Sequence, residues 1–289
     1  MKTISEQLAM FNEPDAGKQV LQYVNNGHLL CEEAQVKIFE LENALDIVKA
    51  LVNKYKPICV EAQIQMLKRK DAVELARVYC GMSALEKEAE LQMLEHEDVV
   101  ELVGVCCRRF NLTVEAKEKM FKHSKAEEIV RIYMKSWPLS TADQVKVFNF
   151  ENPDDIILEY IRRHPLDEEN EVKLFELERA QEIVLEYISK FPLYEKNQGK
   201  LFEMDNSIEF VTKYIQKHHL CDEAQVKLFK LQDAEKLVKE YIRKNPLCYQ
   251  AQLELFNLEN ALEILEEYLQ KRPLYHDVVK KLFDFLKSK

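Results

Sequence analysis

Glycine is scarce in this chain, with five residues in 289, and tryptophan occurs only once. No GxGxxG or GxxxxGK[ST] segment is present to cradle a phosphate. No stretch approaches the roughly 20 apolar residues of a membrane-spanning helix, and residues 1–20 lack the charged-then-apolar order of a secretion signal. We therefore expect no membrane association and an intracellular, cytoplasmic location.

Cysteine usage and net charge narrow the functional classes further. The seven cysteines are odd in number, include no CxxC pair, and place Cys106 directly beside Cys107, so reduced thiols are the expectation. The net charge of −10 argues against general nucleic-acid binding, which usually needs a basic surface.

What the chain does contain is a repeat of 27 residues. A phenylalanine marks it, and Leu67 and Leu94 hold the same place two steps earlier. Phe39 and Phe11 continue the series with one extra residue at each step. The regularly spaced phenylalanines are Phe121, Phe148, Phe175, Phe202, Phe229, Phe256 and Phe283. A fixed period of this length indicates stacked repeats.

Each repeat is predicted to form two antiparallel helices. With the phenylalanine numbered as position 11, proline at position 1, as in Pro138 and Pro165, stops the preceding helix. Asparagine or aspartate at position 15, as in Asn43 and Asp71, predicts the N-cap of the second helix. We expect a first helix of about ten residues and a second of about twelve.

The pattern resembles the broad helix-turn-helix solenoid class that includes tetratricopeptide and HEAT repeats. The resemblance covers the whole chain but is architectural, because the period is shorter than theirs and the tetratricopeptide signature is absent. It implies an all-α protein, a single α-solenoid domain over residues 1–289. We expect about ten two-helix repeats and a C-terminal capping helix.

Two polar series fall on apolar helix faces. Tyrosine at position 23 is read as core, with a stacking platform for a ligand as the alternative. Position 7 is usually glutamine: Gln7, Gln35, Gln63, Gln144, Gln198, Gln225 and Gln252. A buried amide needs partners, so we expect a glutamine ladder joining repeats or loop carbonyls; the alternative is a seam that binds a peptide backbone. Glu90 and Lys117 occupy position 7 in adjacent repeats and are predicted to pair.

Basic residues recur at positions 25 and 26, at the end of each second helix, as in Arg108, Arg109 and Lys217. They complement the helix dipole, and stacked together they also suit a phosphate or an acidic partner.

The repeat is least regular over residues 58–137. Position 13, apolar elsewhere, becomes Arg69, His96 and His123, and Gly104 enters a second helix. Rule-breaking of this kind is typical of functional sites. A partner-binding patch, a metal site and neutral drift all remain open, although the histidines lack a recognised ligand spacing.

Position 21 is the most variable, and on a helical wheel it flanks the exposed face of the second helix. It carries Arg77, Arg131, Leu158 and Leu185, and the two leucines are predicted to be exposed side by side. Contiguous exposed apolar surface marks interfaces. Position 21, with its neighbours 18, 22 and 25, is therefore the expected partner-contact surface.

A non-enzymatic scaffold that binds another protein or peptide is the leading hypothesis, with no cofactor and no metal. The alternative is a nucleic-acid or phospholigand binder that uses the basic edge. A third hypothesis is an enzyme built on Arg69, His96 and His123.

Overall fold

The protein, seen as a computed structural model describing residues 2–54 and 56–288, is all-α: these residues form 21 α-helices and no strand. They fall into two compact units, one within residues 1–139 and one within residues 140–289. Odd-numbered helices are the first helices of the repeats, and even-numbered helices are the second.

The first unit holds ten helices. They are α1 Ile4–Ala9, α2 Ala16–Asn25, α3 Glu32–Lys37, α4 Ala44–Val52, α5 Val60–Leu67, α6 Ala72–Tyr79, α7 Lys87–Met93, α8 Val99–Cys106, α9 Val114–Lys122 and α10 Ala126–Tyr133.

The second unit holds eleven. They are α11 Thr141–Phe148, α12 Pro153–Ile161, α13 Glu168–Glu171, α14 Ala180–Ile188, α15 Glu195–Gln198, α16 Ser207–Ile215, α17 Asp222–Leu228, α18 Ala234–Lys244, α19 Tyr249–Glu254, α20 Ala261–Leu269 and α21 His276–Ser288.

Within each unit, like helices pack on like. In the first unit the second helices contact one another in the order α2, α4, α6, α8, α10, and the first helices in the order α1, α3, α5, α7, α9. In the second unit α12, α14, α16, α18 and α20 contact one another in sequence. This neighbour-to-neighbour pattern is consistent with the predicted helical repeat.

The first helices are shorter than expected because several end in a 3₁₀ turn. These turns cover Met10–Asn12, Ile38–Glu40, Val172–Glu176, Gly199–Phe202 and Leu255–Asn257. Position 10 lies wholly in the core, as at Met10 and Leu174, and the phenylalanine of position 11 is half-buried in most repeats. The recurring phenylalanine therefore lies at the edge of the core.

The tyrosines of position 23 are core residues, as predicted. Tyr187, Tyr214, Tyr241 and Tyr268 are at most 1% exposed, and each hydroxyl accepts the backbone N–H of the leucine that opens its own repeat. Leu193 N, for example, lies 3.2 Å from the Tyr214 hydroxyl. A buried hydroxyl thus satisfies a buried loop N–H.

The predicted N-cap residues do lie at the starts of the second helices, but their side chains do not form the predicted capping hydrogen bonds. Asn43, Asp71, Asp98, Asp233 and Asn260 precede their helices, yet none of these side chains bonds to the first turn. Their φ near −95° and ψ near 30° differ from the extended conformation that an N-cap side chain needs.

Acids from the preceding repeat contact the start of the second helix instead. Asp154 accepts the Arg179 N–H, and Glu235 accepts the Asn260 N–H. These bonds tie the N-terminal turn of one second helix to its neighbour.

The glutamine ladder is confirmed. Each position-7 amide donates to a carbonyl or tyrosine of its own repeat and accepts the backbone N–H at position 3 of the next. The inter-repeat bonds run from Cys31 to Gln7, Cys59 to Gln35, Glu86 to Gln63, Asp167 to Gln144, Cys221 to Gln198, Cys248 to Gln225 and Tyr275 to Gln252.

The predicted pairing of Glu90 with Lys117 is wrong. Position-7 side chains extend toward position 3 of the next repeat, so Glu90 accepts both the N–H and the hydroxyl of Thr113, at 2.9 and 2.5 Å. The Lys117 ammonium lies 5.8 Å from the centre of the Tyr133 ring.

A further acid in the ladder, Glu171, was not recognised from the sequence. Its carboxylate accepts from the Tyr187 hydroxyl, the Tyr194 N–H and the Asn197 amide.

The C-terminal helix α21 differs from a polar cap. Phe283 is 60% exposed and Leu286 50%, and Lys280 is exposed as well. Only Val278 of this helix lies among the buried apolar residues. Across the described residues, no helix combines the length and apolar character needed to cross a bilayer.

Candidate partner-binding site

Position 21 lies beside the next second helix. Arg77 in α6 contacts Glu101 in α8 at 3.2 Å, and Lys239 in α18 contacts Glu263 in α20 at 2.8 Å. The expected pair of exposed leucines is therefore wrong: Leu158 is 7% exposed and Leu185 is half-buried. Both lie at the seam between consecutive second helices, because α12 packs on α14 and α14 on α16.

The other predicted contact residues have local partners. Arg131 bonds to Glu127, four residues earlier in α10. Arg69 donates to the carbonyls of Phe39 and Leu41 in the preceding repeat, and to Asp71. The Asp71 hydrogen bond raises the pKa of Arg69 and lowers that of Asp71.

His96 and His123 each accept a hydrogen bond from the backbone of their own turn. The Nδ1 atom of His96 accepts the Asp98 N–H, and that of His123 accepts the Lys125 N–H. Among the residues the structure describes, no three His, Cys, Asp or Glu side chains are grouped as metal ligands.

Basic side chains of the basic edge donate hydrogen bonds to backbone carbonyls. Lys217 and Lys244 donate to the carbonyls of Ser189 and Gln216, each at the C-terminal end of the preceding second helix. Lys54, Arg109 and Lys190 likewise donate to a backbone carbonyl of the preceding repeat. These cations satisfy orphan helix carbonyls, which accounts for their recurrence.

The most distinctive surface is a groove between α8 and α10, hereafter the α8–α10 groove. Its floor consists of Val100, Gly104, Val105 and Ile132, all half-buried. A side chain on Gly104 would meet the Ile132 methyl Cγ2, 3.1 Å from the ideal Cβ position, so this glycine lets the two helices approach closely. The groove lies in the irregular stretch and includes residues at the predicted positions 18, 21, 22 and 25.

Charged residues line the two ends of the groove differently. Glu97, Asp98 and Glu128 lie where α8 and α10 begin, together with Lys125, which donates to the Glu97 carbonyl. Arg108 and Lys135 lie where the helices end. Arg108 is exposed and makes no ion pair or hydrogen bond with other described residues. One end is therefore acidic and the other basic.

The corresponding groove of the second unit, beside α18, has a charged lining. Its walls include Glu235, Lys239, Glu240 and Arg243. The two grooves differ because the residues at position 22 of the repeat differ. Position 22 is apolar in residues 29–137 and charged in residues 138–272: Ala50, Val78, Val105 and Ile132, then Glu159, Glu186, Lys213, Glu240 and Glu267.

Position 22 was included in the predicted partner-contact surface only as a neighbour of position 21. The apolar-to-charged change along position 22 was the signal that could have identified the groove.

Comparison with protein-family models, with curated proteins and with solved structures finds no match for this chain.

Proposed function

We propose that the protein is a non-enzymatic scaffold, an α-solenoid of about ten two-helix repeats and a C-terminal helix, that binds another protein through the α8–α10 groove. The observation that carries the proposal is the apolar floor of Val100, Gly104, Val105 and Ile132. Position 22, held here by Val105 and Ile132, is charged throughout the second unit, so stacking of the helices does not require an apolar residue at that position.

Binding of nucleic acid or a phospholigand by the basic edge is the second candidate. It is the weaker one, because Lys54, Lys190, Lys217 and Lys244 already donate to helix carbonyls. A mobility-shift titration across salt tests it: no shift at low salt removes this candidate, whereas a shift lost on raising salt supports it.

An enzyme built on Arg69, His96 and His123 has little support in their contacts, since Arg69 is bonded to backbone carbonyls and each histidine to its own turn. We therefore propose no catalytic, cofactor or metal role for them, and we retain the cytoplasm as the proposed location.

The scaffold proposal is tested by capture from the native host's lysate with quantitative mass spectrometry. Wild type is compared with a Val105→Glu/Ile132→Glu variant. Glutamate occupies position 22 in four repeats of the second unit, so the helices should tolerate both changes; circular dichroism and thermal unfolding verify this. We expect at least one protein recovered by wild type to be lost with the variant.

Glu240→Val, at the same position in α18, is the matched control and should leave recovery unchanged. Recovery that is identical for wild type and the groove variant would contradict the proposal.

A further inference from the structure

We propose that the occupant of the α8–α10 groove is an amphipathic helix of a partner protein, lying antiparallel to α8 and α10. Its acidic N-terminal turn contacts Arg108, and its basic C-terminal turn lies beside Glu97 and Glu128. This inference rests on the proposed function and specifies the kind of partner and its orientation.

The direction of the two groove helices is fixed by contacts between like positions. At one end Lys125, just before α10, donates to the carbonyl of Glu97, just before α8. At the other end Trp137, after α10, donates to the carbonyl of Cys107, after α8. The two helices therefore run parallel, and their N-terminal ends share one end of the groove.

The groove has the form that a third helix needs. Helices pack by placing the side-chain ridge of one into the groove of another, and apolar residues spaced along one face anchor such a helix. Gly104 lets the Ile132 side chain lie close against α8, and Val100 and Val105 continue the apolar floor along α8. An extended peptide would be less well matched, because the helices offer it no unpaired backbone edge.

Charge sets the orientation. The acidic end carries three carboxylates, Glu97, Asp98 and Glu128, against the ammonium of Lys125, and the neighbouring Arg77–Glu101 ion pair adds no net charge. The basic end carries Arg108, whose guanidinium has no partner among the described residues. Helices commonly have acids in the first turn and bases in the last, since both complement the helix dipole. Such a helix matches both ends of the groove only when it is antiparallel to α8 and α10.

Two synthetic peptides of equal composition provide the test. Both carry the same leucine face and the same hydrocarbon staple, so that their helicity is matched by circular dichroism. One has glutamates in its first turn and lysines in its last, and the other has the reverse order. Binding to the full-length protein is measured by fluorescence anisotropy.

We expect the glutamate-first peptide to bind at least about tenfold more tightly than the reversed peptide. Arg108→Glu should abolish this preference. Arg243→Glu, at the same repeat position in α18, should preserve it. Val105→Glu should weaken the binding of both peptides.

Tighter binding of the lysine-first peptide would overturn the proposed orientation. Equal binding of both peptides, weakened by Val105→Glu, would also overturn it while leaving the groove as a binding site. Failure of both peptides to bind would refute the helical occupant, whereas lysate capture tests the scaffold function separately.

Discussion

The side-chain oxygen of Gln63 lies 2.7 Å from the backbone nitrogen of Glu86, in the next repeat. On its other side, the Gln63 amide donates to the Ile58 carbonyl at 3.0 Å and to the Tyr79 hydroxyl at 3.2 Å. One buried side chain therefore joins its own loop, its own second helix and the following repeat.

Replacing Gln63 with alanine should destabilise the protein by about 2–3 kcal/mol, because it removes the partners of the part-buried Glu86 N–H and the buried Ile58 carbonyl. Urea unfolding measures the change. Gln65→Ala on the same helix removes only an exposed contact with Glu61 and should cost less than about 0.5 kcal/mol. Equal effects of the two substitutions would contradict the role of the ladder.

Glu171 is predicted to make stability depend on pH near neutrality. Burial raises its pKa to about 7, although bonds from Asn197, Tyr194 and Tyr187 oppose the rise. Since the folded-state pKa lies above the ordinary value of 4.5, protonation stabilises the fold fully below about pH 4.5. This contribution disappears as the pH rises through about 7.

Glu171→Gln restores the residue used in most repeats and removes the buried charge. We expect the stability of this variant relative to wild type to increase by about 3 kcal/mol between pH 4.5 and pH 8. Urea unfolding at several pH values measures it. Glu169→Gln, exposed on the same helix, should show no such trend; a flat difference for Glu171→Gln would refute the prediction.

Leu158 is predicted to behave as a core residue. Leu158→Ala should lower the free energy of unfolding by about 2–3 kcal/mol, because the methyl groups removed are buried. Leu262→Ala removes the same atoms from a residue that is 45% exposed and should cost below about 1 kcal/mol. A negligible effect at Leu158 in chemical denaturation would favour the exposed leucine expected from the sequence.

Cys80 and Cys106 are predicted to form a disulfide on treatment with oxidised glutathione. Their sulfur atoms are 2.8 Å apart and both are buried, at the ends of α6 and α8. The bond forms as each thiol loses one hydrogen, and one oxidised glutathione accepts both as it becomes two thiols. Reaction should be slow, because the Cys80 contact and burial raise the pKa of Cys106.

Non-reducing mass spectrometry should show the loss of two hydrogens, and the cross-link should stabilise the protein by about 3 kcal/mol. Cys107→Ser should still form the bond, and Cys80→Ser should not. A glutathione adduct as the sole product in wild type would count against the pair.

Much of the architecture follows from the sequence because it is periodic. The 27-residue spacing, the stops at position 1 and the buried glutamines each depend on a short-range pattern that repetition makes visible. The N-cap chemistry did not follow, because backbone dihedrals at Asn43 and its equivalents differ from those of an isolated helix start.

The candidate site was harder to predict, since it depends on how one repeat rotates onto the next. A single-helix wheel places Leu158 toward solvent, and packing of α12 on α14 buries it. The floor of the α8–α10 groove likewise combines Gly104 and Ile132 from different repeats, whose meeting no single-repeat pattern reveals.

Most hydrogen bonds between repeats have the same order of acceptor and donor along the chain. At Gln35, Ser189 and Glu235, the acceptor belongs to the earlier repeat and the donor to the later one. A ribosome releases the earlier repeat first, so each newly synthesised helix pair meets most of its inter-repeat acceptors in a repeat that has already emerged. During synthesis from the N-terminus, each later repeat therefore donates hydrogen bonds to a repeat that has already folded. Each repeat can pack on its predecessor as soon as it leaves the exit tunnel.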